Sequence, residues 1–561
     1  GNGFLAGHTA LVKRGSGVLA ISNDNTYTGG TRISGGTVSV NMLSNSTRAY
    51  GGLGGVVESA DLFVMENGAT LQTTETVTQG SPMKMEGKDG GCVENLKDFI
   101  VETPVEGTLL TKKGDGWMKL NTVCPSLERL AINGGTVQCV ACDRPAQTVE
   151  FISGTLYENT GSSYAIHVPE GGSGTWSLAN RSTYNNKITG EGTLTIYCAV
   201  EHGNGWFATR TPVAVNLSLF TGTINATADM ADSYPRFTLN TSSGMPDGTL
   251  NITAGVTVQN TGRTFRIGKL AGKGTLGGYA SFANDGATGV NTWQVGCDDD
   301  FAWAGTVTAN SKFEKVGSGK MTVSGVWDNT GEVAVKEGTL CLNDRSAENA
   351  TLGSGELSVE HRAVLCGMGK LGHASVTVER GGRLYSGTRE GASSGTLDFS
   401  GKRLTVSTGG EVLFNVASKV RCTTLEGISS FSLRGTLKVS VREGLELEAG
   451  DEFQLWVANR TALSSACTLD LDSPGEGLEW DTSALENGIL KVKTATGITG
   501  VVSGEPVDCV VYTLDGARAG SFTCMPSEVG EYMERNGFRS GMYMVKMTQG
   551  QRTESRKVTV D

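Results

Sequence analysis

The chain has 561 residues, 80 of them glycine and only 11 proline, with 19% charged residues, 7% aromatic residues and a formal net charge of −11. Glycine at about twice its average usage, without a collagen period, points to many turns and argues against a long helical design. The acidic balance carries no basic block, which argues against nucleic-acid binding, and no apolar run reaches the length of a membrane-spanning helix.

In chain order, the first residues, Gly1 to Leu5, lack the features of a signal peptide. The chain reads as starting inside a repeat, so an N-terminal truncation is expected. Residues 11–40 read LVKRGSGVLAISNDNTYTGGTRISGGTVSV: a lysine, Gly-x-Gly, a strand, a polar turn, a strand, glycine and a final strand. Residues 79–106 break this pattern, and an insertion loop with one short helix is expected there. A weaker copy of the unit lies at 112–140, another at 171–198, and a clearer one at 313–342. Within these units and between them a phrase recurs, glycine then Thr then alternating apolar residues: GTVSV at 36–40, GTVQC at 135–139, GTLTI at 192–196, GTLNI at 248–252 and GTLCL at 338–342. Each is a turn glycine leading a strand of period two. Three short strands per unit is the pattern of one coil of a parallel β-solenoid, whose coils bury their apolar face only by stacking.

The texture changes after Val492. Residues 494–506 read as a linker. The stretches VVYTLDGAR at 510–518, SGMYMVKM at 540–547 and SRKVTV at 555–560 then predict a small antiparallel, Ig-like β-sandwich. Asp515-Gly516 is the dipeptide of a type I′ hairpin turn, and 525–538 is helix-like. The predicted fold is therefore all-β: a right-handed parallel β-helix over 1–493, a linker over 494–506 and a β-sandwich over 507–561.

The Lys-x-Gly-x-Gly, Asn-x-Thr-Tyr-x-Gly-Gly-Thr and Gly-Gly-Thr-Val elements at 13–38 resemble the autotransporter-associated β-strand repeat. Lys315 to Leu340 resembles it less closely, lacking the aromatic and the glycine pair. Residues 266–307 and 361–387 are similar to the segments flanking such a unit, and 478–492 to the ending of passenger-like regions. The resemblance implies a right-handed parallel β-helix, secreted or on a cell surface. No membrane β-barrel is read after it, so a self-translocating autotransporter is not expected. The last 60 or so residues resemble the C-terminal sorting domain of the type IX secretion system of Bacteroidetes. Its elements match Val511, Tyr512 and Gly516, then Gly541, Tyr543 and Val545, then Lys557, Val558 and Val560. That resemblance implies the secretion and sorting machinery as a partner.

Candidate chemistry is sparse. Asp298-Asp299-Asp300 is the densest acidic run. Successive strand residues alternate faces, so only a turn would let the three converge on Ca²⁺, and a solvated turn is the competing reading. Cys139 and Cys142 form a CxxC with Cys124 upstream; buried small hydrophobes, a local disulfide and a metal site are all open. Cys139, Cys198 and Cys341 follow strand alternation. The histidines His8, His167, His202, His361 and His373 show no metal-ligand spacing. Trp117, Trp293, Trp303, Trp327 and Trp480 read as core or coil-edge packing, with sugar stacking as the alternative. No catalytic or cofactor residue is assigned. The functional expectation is a secreted or cell-surface adhesion-type rod that binds glycans or host surface ligands or presents an upstream module. The alternative is a carbohydrate-binding or polysaccharide-degrading β-helix.

Overall fold

The computed structural model describes residues 4–158, 161–178, 184–197, 213–228, 235–278, 290–308, 311–342, 351–495, 504–550 and 552–560. Among them the chain is nearly all strand, and α-helix is confined to Val529–Arg535. Cys198 and His202 lie outside the described residues.

Before residue 473, almost every strand pair is parallel, and each strand pairs with one about a coil further along the chain. The clearest ladder runs through Val77, Phe99, Met118, Val137, Leu156, Trp176, Ile196, Ala226 and Ile252, each directly opposite the next. All nine side chains are buried. A second inward column runs through Val335, Val359, Val378, Val406 and Leu433. The cause is the two-residue period. Strand Thr193–Tyr197 buries Leu194 and Ile196 and turns Thr193, Thr195 and Tyr197 outward. A one-residue slip would reverse both sets, so the apolar column fixes the register. The result is one continuous apolar core from Ile33 to Val492.

Residues 79–106 correct the expectation of an insertion loop. They carry strands Met83–Glu86, Gly91–Asn95 and Phe99–Val101, paired in parallel with their neighbours, and no helix. Met83 and Met85 point inward while Lys84 and Glu86 face out. The charged half of an alternating strand had masked the apolar half.

The C-terminal residues form one four-stranded antiparallel sheet. Val507–Thr513 pairs with Arg518–Cys524 and with Gly541–Gln549, which pairs with Arg552–Val560. The helix Val529–Arg535 packs on this sheet through Met533 and Val529, and Tyr532 stacks on Phe522 at 4.5 Å. The hairpin is not the expected type I′ turn. Gly516 N donates to Thr513 O (2.9 Å), Thr513 N donates to Ala517 O (2.8 Å), and only Gly516 has positive φ, at +89°. That is a three-residue loop, a tight turn closed by a left-handed glycine, with a register shift between Val511 and Tyr512.

Candidate functional site: a lysine corner and an uncharged outer face

The recurring Lys-x-Gly-x-Gly element makes a specific local structure. Lys112 lies in an inward column between Val93 and Ile132 and is fully buried. Its ammonium donates to Lys113 O (2.9 Å), Gly114 O (2.6 Å) and, from the next coil, Gly134 O (3.1 Å). Lys13 repeats this with Arg14 O, Gly15 O and Gly35 O at 3.0, 2.8 and 2.9 Å. Lys315 repeats it with Val316 O, Gly317 O and Glu337 O at 2.9, 2.8 and 3.1 Å. Burial pushes the ammonium groups of Lys112 and Lys315 down to about 8. Three carbonyl acceptors require three N–H donors, which only the protonated form supplies.

The glycine of the Gly-Thr phrase closes the same corner. Gly135 has φ +59°, and a Cβ there would lie 2.4 Å from Gly114 O and 2.8 Å from Lys112 Nζ. Gly36 stands equivalently over Gly17 O and Lys13 Nζ, and Gly338 over Gly317 O. Left-handed φ and lack of room both demand glycine. The sequence had marked these lysines and glycines as a repeat; that the lysine points inward was not legible, because lysine is almost never buried.

The acidic run does not act as a unit. Asp299 pairs with Lys269 (2.7 Å), Asp298 accepts from Ser318 Oγ (2.7 Å), and Asp300 accepts from Lys320 N (2.8 Å). No group of three His, Cys, Asp or Glu able to hold a metal exists among the described residues. Cys124, Cys139, Cys142 and Cys341 are free and fully buried. Cys142 beside it and then burial push the Cys139 thiol well up. His373 is buried, with Nδ1 3.0 Å from Gly355 O, and burial lowers it to about 4. Trp293, Trp303 and Trp327 are core residues, and Trp480 packs on the core edge, donating to Asp472 O (2.7 Å). Trp117 differs: it is 39% exposed, with its ring 6.2 Å from that of Tyr157.

Trp117 begins an outer face. Flanking the inward column from Met118 to Ala226, one outward column reads Trp117, Thr136, Thr155, Thr175, Thr195 and Asn225. The other reads Lys119, Gln138, Tyr157, Ser177, Tyr197 and Thr227, with Ser177 itself buried. After Lys119, neither column holds a charged residue. Other walls differ: Arg32 bridges Glu66 (3.0 Å) and Glu86 (2.9 Å), Arg129 meets Glu150 (3.5 Å), and Lys336 meets Glu314 (3.1 Å).

In the C-terminal sheet, Val511, Tyr543, Val545 and Val560 are buried, and Val558 packs against them. Tyr543 Oη donates to Arg539 O (2.8 Å). Gly516 closes the hairpin, Gly541 begins its strand opposite Val560, Tyr512 is half-buried, and Lys557 is exposed.

Residues 11–40 match the family model described as Passenger-associated-transport-repeat. The chain is also similar to the adhesin BmaC autotransporter of Brucella suis biovar 1 (strain 1330), 25% identical over 388 residues. That match covers 66% of this chain and 10% of the relative, so the chain spans about a tenth of that protein's length. The unit read at 13–38 is thus an autotransporter passenger-type repeat. No helix among the described residues is long and apolar enough to cross a membrane.

Proposed function

We propose that this chain is a secreted or cell-surface adhesin-type protein, built as a closed right-handed parallel β-helix that presents long outer faces to a ligand. The observation that carries this reading is the unbroken parallel column from Val77 to Ile252. Stacking of that kind makes a rod whose area grows with each coil and needs no reaction centre. The passenger-type repeat and the adhesin similarity support the location and the class.

The C-terminal sheet serves in this reading as a type IX sorting module in a Bacteroidetes-like cell, with its secretion machinery as partner. Its support is the three motif elements in order, from Val511 to Val560. The test is surface labelling with a membrane-impermeant reagent on cells making the chain with and without 507–561. Labelling of the intact chain and its loss on truncation is the expected result. An intact chain held inside the cell contradicts the reading. Ca²⁺ at Asp298 to Asp300 remains a proposal that those separate hydrogen bonds do not favour.

The second reading, a carbohydrate-binding β-helix, is favoured by the uncharged outer face. Its polysaccharide-degrading form needs converging carboxylates. The cleft lined by Tyr385, Arg389, Glu390, Asn415 and Ser440 offers Glu390, which is already paired with Arg383 at 2.7 Å.

A further inference from the structure

We propose that Cys341 and Cys366 are a redox-active pair, a modification site at which exchange with a small disulfide staples two neighbouring coils of the solenoid together. This goes beyond the adhesin-type reading and does not depend on what the rod binds.

Register is the first argument. Strand Gly338–Leu342 pairs in parallel with Ala363–Gly367, and Cys341 stands directly opposite Cys366. Paired strands lie about 4.8 Å apart, inside the range of roughly 4.4–6.8 Å between Cα atoms that a disulfide spans. Other neighbouring cysteines lack this register. Cys524 faces Val507 and not Cys509, and Cys139 and Cys142 follow each other along one stretch of chain.

The surroundings are the second argument. Leu340 and Leu365, one residue earlier on each strand, belong to the apolar core, so the two-residue period turns both cysteines outward. Both are nevertheless fully buried, because residues 387–394 lie over them. Gly387 N donates to Gly367 O (2.7 Å) at one end of this loop, and Asn415 Nδ2 donates to Ala392 O (2.8 Å) towards the other. Between them Thr388 O accepts from Lys320 Nζ (2.7 Å) and lies 3.8 Å from Cys341 Sγ. A cysteine that serves as a small hydrophobe sits among apolar side chains, as Cys139 does in the core. This pair instead meets a carbonyl, an ammonium and, opposite Cys366, the phenol of Tyr385. Tyr385 also lines the cleft with Arg389, Glu390 and Asn415, so the cleft reaches the residue that faces Cys366.

The chemistry gives the two thiols different roles. The thiolate is the nucleophile in exchange, and Cys366 beside it and the Lys320 ammonium hold the Cys341 thiol below its ordinary value, against the opposing effect of burial. Cys341 Sγ therefore attacks one sulfur of the incoming disulfide. The S–S bond of that disulfide breaks, and its first thiolate leaves with the bonding pair. Cys366 then gives up its proton, attacks Cys341 Sγ and expels the second thiolate. Two protein thiols are oxidised by two electrons, and one small disulfide is reduced to two thiols, which take up the two protons.

The test treats the whole chain, purified in the reduced state and kept folded, with oxidised glutathione. Remaining thiols are alkylated after unfolding, and peptides are mapped by mass without reduction. The expected result is a peptide pair joined through Cys341 and Cys366, with a urea midpoint above that of the reduced chain that dithiothreitol returns to its starting value. Cys366→Ser removes the resolving thiol and is expected to retain one glutathione on Cys341. Cys341→Ser is expected to take up glutathione on Cys366 severalfold more slowly, with circular dichroism checking that both variants keep their strands. Recovery of both thiols unmodified from the treated wild-type chain, a bond from either one to a different cysteine, or faster uptake on Cys366 than on Cys341 would each overturn the inference. The measurement is made on purified chain, so its failure leaves the surface-labelling result, and the adhesin-type reading with it, untouched.

Discussion

Lys112 shows what a single residue contributes. A buried ammonium without a carboxylate would be costly alone, but its three donors are all used on carbonyls of its own turn and of the next coil. Lys112→Met fits the apolar column yet strands those carbonyls. It is expected to lower stability by about 2–3 kcal/mol, read from the urea midpoint. Two buried titratable groups set opposite pH trends. Burial raises Glu158 from 4.5 to about 7, although Tyr164 Oη and Trp176 Nε1 donate to it. The folded state then holds a proton that the unfolded chain has lost, so this contribution is full below about 4.5 and fades as pH rises through about 7. His373 is lowered from 6.5 to about 4, so its contribution is present above 6.5 and fades as pH falls through about 4. Glu158→Gln is expected to flatten the decline towards neutral pH, and His373→Gln the decline towards acid, in urea midpoints measured across that range. Neither burial was legible in sequence: Glu158 ends a strand whose outward residue is Tyr157, and only the next strand's Trp176 shows that it faces in.

At the scale of the element, alternation was the legible signal, and it located most strands. Thr-Leu-Thr-Ile-Tyr at 193–197 is the plain case. The signal failed where outward residues were charged and inward ones were methionine, as in Met83–Glu86. Met85→Lys is therefore expected to be severe, at about 3 kcal/mol or more, because it buries a charge with no carbonyl cage. Lys84→Met, on the outward face, should change the urea midpoint little. The hairpin at Thr513 to Ala517 was located correctly and typed wrongly, since Asp-Gly fits both loops and strand register decides between them. With only Gly516 left-handed, Gly516→Ala is expected to cost about 1 kcal/mol. Faster hydrogen exchange in Val507–Thr513 and Arg518–Cys524 would report it.

For the whole molecule, stacking turns a sequence of weak units into one core, because each coil is covered by the coil above and the coil below. The repeat announced this, but the outer faces had to be seen in three dimensions. Thr136, Thr155, Thr175 and Thr195 are far apart in sequence and share a column only through register. The most direct test of the account is a set of distances along that column. Pairs of spin labels would be placed on unnatural amino acids, avoiding the native thiols, at 136, 195, 225 and 251, and measured by pulsed electron paramagnetic resonance. In-register stacking predicts that separations grow by about 4.8 Å per coil, so Thr136 and Asn251, five coils apart, give a narrow distribution near 24 Å. A broad distribution, or a separation that follows sequence distance instead of coil number, would contradict the account.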